Sequence, residues 1–67
     1  MDVLDLLRVA IQTEIATYEL YHRGAQGATD EKLRAMFEQL AQEELKHREL
    51  LQNQYQLLAG DVIQGLD

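Results

Sequence analysis

Sixty-seven residues allow one domain at most, and a chain this short has little means of covering its own apolar surface. The absence of Cys excludes disulfides and thiolate metal sites, which leaves oligomerisation and a metal held by oxygen and nitrogen as the available staples. Twelve acidic residues against six basic ones, a formal charge of −6, argue against a nucleic-acid groove or an anionic membrane surface as partner and favour cations. No apolar run approaches the roughly 20 residues of a membrane span. The start Met1-Asp-Val-Leu-Asp5 also lacks the basic region and cleavage site of a secretory signal, so a cytoplasmic location, or an enclosed compartment within the cell, is expected.

In chain order, the absence of Pro and the placement of Gly only at 24, 27, 60 and 65 predict two long helices, at about 3–26 and 30–58. The segment from Gly24 to Asp30 separates them. Gly27 is a natural stop for the first helix, and Thr29 or Asp30 can cap the second, with Asp30 and Glu31 placing negative charge at its N-terminus. The segment 59–67 reads as a short tail with no more than a turn of helix. The whole chain, 1–67, is one all-α unit, an antiparallel two-helix hairpin.

The first helix carries Leu4, Leu7, Ile11, Glu14, Tyr18, Tyr21 and Ala25 at alternating steps of three and four. The second carries Leu33, Phe37, Leu40, Glu44, His47, Leu51, Gln54 and Leu58 in the same way. Two carboxylates and an imidazole therefore occupy places where Leu or Phe belongs. Folded about Thr29, positions equidistant from the turn face each other: Tyr21 meets Phe37, Glu14 meets Glu44, and Ile11 meets His47. The three polar groups then form one cluster at mid-height.

Facing carboxylates in an apolar layer repel and resist ionisation, and a divalent cation removes that conflict. Glu44-Leu-Lys-His47 is an E-x-x-H pair whose spacing puts both side chains on one helix face. One Glu from each of two helices and one E-x-x-H from each of two others is the recipe of a di-iron bundle, and this chain holds half of it. Two copies bring Glu14, Glu44 and His47 twice, so the hairpin is expected to dimerise into a four-helix bundle. The expected load is two Fe ions per dimer, one per chain, with Mn or Zn as substitutes.

The run Ala10-Ile-Gln-Thr-Glu-Ile-Ala-Thr-Tyr-Glu-Leu-Tyr21, followed by Phe37-Glu-Gln-Leu-Ala-Gln-Glu-Glu-Leu-Lys-His47, resembles the rubrerythrin-like branch of the ferritin superfamily. The resemblance implies ligand roles for Glu14, Glu44 and His47. The short single-repeat form is similar to the encapsulated ferritins, which implies a homo-oligomer, with a larger ring and a protein nanocompartment as further partners. Three features depart from these relatives. There is no second repeat, there is no four-cysteine rubredoxin-like domain, and Thr17 stands where one rubrerythrin repeat has an additional Glu.

Among the remaining residues, Tyr18 and Tyr21 read first as core aromatics, with Tyr18, one turn from Glu14, the candidate donor to a metal-bound carboxylate. His22, Glu19 and Glu43 read as exposed, and Gln54 as a bundle-end residue. Iron oxidation at the catalytic trio Glu14, Glu44 and His47 is the leading expectation. The alternatives are rubrerythrin-like reduction of peroxide with an external donor, and a metal-free oligomerisation hairpin whose polar cluster sets register.

Overall fold

The computed structural model describes residues 1–65, with side chains through Gly60, as two antiparallel helices, α1 (Val3–Gly27) and α2 (Glu31–Gly65). Asp2 starts α1 with a capping box: its Oδ1 accepts from the Asp5 backbone N–H at 2.8 Å, and Asp5 Oδ2 accepts from the Asp2 N–H at 3.3 Å. Asp5 also pairs with Arg8 one turn on. The first helix stops at Gly27 because Ala28 turns to extended backbone, and no left-handed residue is involved. Of the two candidate caps for α2, Asp30 takes the role, its carbonyl accepting from Arg34 N–H at 2.9 Å and its carboxylate from Lys32 N–H at 3.4 Å.

The end of α2 corrects the expected one. Helix continues past residue 58 through Gly60 to Gly65, and only residues 66 and 67 of the expected tail lie outside the described residues. A lone Gly in a helix costs about 1 kcal/mol against Ala and breaks no hydrogen bond, so without Pro nothing ends the helix there.

The α1 stripe packs as its periodicity predicts, with Leu4, Leu7, Ile11, Glu14, Tyr18, Tyr21 and Ala25 all half-buried or buried. The α2 stripe is corrected. Phe37, Leu40, Glu44 and Leu51 are half-buried, but Leu33, His47, Gln54 and Leu58 are exposed, while Ala41, Leu45, Arg48 and Tyr55 sit inward. The second helix is thus rotated by less than the roughly 100° that one residue advances. Two contacts account for the rotation. Near the turn the Phe37 ring packs against Gly24, where a Cβ would come within 2.9 Å of it, and lies 6.4 Å from the Tyr21 ring; at the open end Arg8 lies over the Tyr55 ring at 5.9 Å.

The hairpin is a rod of 56 × 18 × 11 Å whose fully buried apolar residues are Ala25, Ala28 and Ala41 among those described. Its accessible surface is 5195 Å², against roughly 4,300 Å² for a compact monomer of this mass. Part of the exposed apolar surface lies on one side, with Met1, Val9, Leu50 and Leu57 exposed as well. Helical geometry places Val3, Leu6 and Leu20 of α1 and Leu33, Met36 and Leu58 of α2, all exposed, on the same flank of the inter-helix seam. Glu19, His22 and Gln26 of α1 and Glu38, Gln42 and Glu49 of α2 occupy the opposite flank.

Gly24→Ala should destabilise the hairpin, because overpacking costs about 1–3 kcal/mol against about 1 kcal/mol gained in helix propensity. Gly60→Ala, where a Cβ meets nothing within 4 Å, should stabilise it by about 1 kcal/mol; paired thermal melts check both signs. Arg8 first, and the Asp2 backbone second, hold the Asp5 carboxyl below its ordinary 3.8. The Asp5 side chain is 41% exposed, and a depressed folded pKa stabilises above the unfolded value and loses that contribution as pH falls through the folded one. Asp5→Asn should therefore lower Tm at neutral pH and flatten the decline of Tm below about pH 4, read from melts across pH 2–7.

Candidate metal centre

Glu14 lies in the middle of α1 on its packed stripe, while Glu44 and His47 lie one turn apart in the middle of α2. The antiparallel crossing brings them together. One ligand atom from each of the three falls within 4.8 Å of the others. His47 Nδ1 is 3.7 Å from Glu14 Oε2 and 3.8 Å from Glu44 Oε2, too long for good hydrogen bonds and suited to an ion between them.

Burial is graded across the cluster: the side chains of Glu14 and Glu44 are 23% and 16% exposed, and that of His47 is 55% exposed. The carboxylates are thus drawn in while the imidazole stands at the rim, because the rotation of α2 carries His47 out of the seam. That rim belongs to the apolar flank. The site opens on the face that carries Leu33, Met36 and Leu58.

Glu14 Oε2 is buried and has no hydrogen-bond partner. A buried carboxylate oxygen without a donor is strongly disfavoured, so this atom calls for a cation or proton beside it. The donor set, two carboxylates and one imidazole, suits a divalent ion such as iron or manganese. Residues and group fit.

A family model described as Rubrerythrin matches residues 5–66. The chain belongs to the rubrerythrin family, within the ferritin-like superfamily. Neither the curated proteins nor the solved structures contain a match to it.

Other residues singled out in the sequence are placed differently from this rubrerythrin-family cluster. Tyr18 stacks on His22 at 5.8 Å on the flank away from the cluster, and among the described residues no hydrogen bond joins its hydroxyl to Glu14 or Glu44. Thr17, at the place of the additional family Glu, donates its hydroxyl proton to the Thr13 carbonyl at 2.9 Å and is satisfied by its own helix. Gln54, His22, Glu19 and Glu43 are exposed. Arg48, which the stripe pattern passes over, is half-buried beside the cluster; its one sequence signal is a position four residues after Glu44, on the inward track of Phe37, Ala41 and Tyr55. No helix is long and apolar enough to cross a membrane among the described residues.

Loss of a partner that only orients a ligand costs about 10–100-fold in metal affinity, so removing a ligand should cost at least about 100-fold. Glu14→Ala, Glu44→Ala and His47→Ala are each expected to show this in Mn(II) titrations monitored by calorimetry.

Proposed function

We propose that two copies of this chain pair through their apolar flanks, bring two sets of Glu14, Glu44 and His47 together, and form a di-iron carboxylate site that reduces hydrogen peroxide with an external electron donor. The observation that carries the reading is the Glu14–Glu44–His47 cluster with its unpartnered, buried Glu14 oxygen. One hairpin offers three ligands, too few for two ions. The cluster opens on the same face as the exposed apolar side chains, so a copy docking there covers that surface and adds the second ligand set.

Four carboxylates and two imidazoles would hold two Fe(II), the four negative charges balancing the four positive ones. When bound, two ferrous ions supply the two electrons that, with two protons, turn one peroxide into two waters. The chain's own contribution is position and environment. Glu14 and Glu44, held by facing helices, fix the separation of the ligand sets; His47 at the rim closes the site when the second copy covers it; and the half-buried layer limits water around the reacting oxygen atoms.

Membership of the rubrerythrin family favours peroxide over dioxygen as the oxidant. Iron oxidation by dioxygen is the second reading, favoured by the net charge of −6, which concentrates Fe(II) around the chain, and by the absence of any cysteine in these 67 residues to hold a rubredoxin-type donor.

Anaerobically loaded protein, followed by stopped-flow mixing with peroxide or with dioxygen, separates the two. The expected outcome is one iron per chain, a dimer or larger by light scattering, and oxidation by peroxide at least about tenfold faster than by dioxygen at equal concentration, with Glu44→Ala inactive. Faster reaction with dioxygen selects the iron-oxidising reading. A chain that binds no iron in any assembled state leaves only a hairpin whose polar cluster sets register.

A further inference from the structure

Two buried side-chain atoms among the described residues lack a hydrogen-bond partner, Glu14 Oε2 and Arg48 Nε. They are complementary, an anionic acceptor and a cationic donor. They also share a layer of the hairpin, since Arg48 directly follows His47 and stands one turn from Glu44, and Glu14 reaches His47 at 3.7 Å. No carboxylate of the described residues lies within ion-pair distance of Arg48, whereas Arg8 and Arg34 pair with Asp5 and Glu31. Arg48 is therefore a half-buried side chain on the inner side of α2, its Nε buried and without an ion-pair partner among the described residues. Its stem could have been Leu or Met at that seam position with no desolvation cost.

We propose that Arg48 is the site's resident counter-charge, a positioning residue that holds the two carboxylates in place while no metal is bound and opposes the entry of a divalent cation. With a divalent ion on Glu14, that role passes to the metal, and the fixed guanidinium charge then works against it at low local dielectric. Arg48 thereby sets a ceiling on metal affinity and stabilises the metal-free hairpin, which suits a site that must release and reload its ions. The affinity half of this inference rests on the metal reading above; the metal-free half does not.

The test uses Arg48→Met, which keeps the stem and removes the charge, Arg48→Gln as a second neutral variant, and Arg48→Lys, which keeps the charge. With Mn(II) as a redox-silent probe, both neutral variants should bind about tenfold more tightly than the parent chain, and Arg48→Lys should bind like the parent. In metal-free protein, Arg48→Met should lower Tm, and that loss should shrink by at least half in a Glu14→Gln background, the mark of a coupled pair. Unchanged or weaker Mn(II) binding in the neutral variants, or an equal Tm loss in both backgrounds, overturns the proposal. If the parent chain binds no Mn(II), the metal reading falls on its own, and the thermal cycle still decides whether Arg48 acts on Glu14.

Discussion

Two carboxylates held between facing helices are the constraint on which the rest of this molecule depends. Each loses much of its hydration, and the pair repel, so the arrangement persists only where something positive offsets them. Within one hairpin the nearby nitrogen-bearing groups are His47 at the rim and Arg48 in the seam, and neither forms a close hydrogen bond to Glu14 Oε2. Leu at positions 14 and 44 would pack without this cost. The chain belongs to the rubrerythrin family, and with His47 the two carboxylates form a cluster capable of coordinating a metal ion.

The fold serves the cluster by being stiff elsewhere. Long helices without proline, capped at both starts by aspartates, hold mid-helix residues at fixed height. The turn allows little slippage, because Phe37 seats against Gly24 on one side and beside Tyr21 on the other. Such a thin rod cannot bury its own large side chains, and several of them lie on the flank where the cluster opens. Exposed apolar side chains and the open side of the cluster share one face, so under the proposed pairing a single docking event would cover both. The opposite flank, polar and lined by the stacked Tyr18 and His22, is left to water.

The cluster and the fold were legible in the sequence for particular reasons. Glu14, Glu44 and His47 stand out because they interrupt apolar tracks whose period is otherwise unbroken, and symmetry about the turn was enough to bring them together. Tyr18 shared the same track and the same proximity to Glu14, yet it turns to the other flank and stacks on His22. A residue at the edge of a stripe can lean either way, and its rotamer is chosen by neighbours that periodicity does not name.

By itself the sequence determined that there are two helices, where the chain turns, which layer holds the polar trio and that one hairpin leaves much of its apolar surface uncovered. These follow from local propensity, helical period and the ratio of surface to volume, all of which are counted along the chain. The rotation of α2 was decided only in three dimensions, and with it the exposure of His47, the inward place of Arg48 and Tyr55, and the flank on which the site opens. Periodicity defines a face on each helix but not the angle at which two faces meet. That angle comes from which side chains fit, here a phenylalanine ring in the space left by a glycine and a tyrosine under an arginine. The far end of α2 was likewise decided by what failed to stop it, since a glycine weakens a helix without ending it.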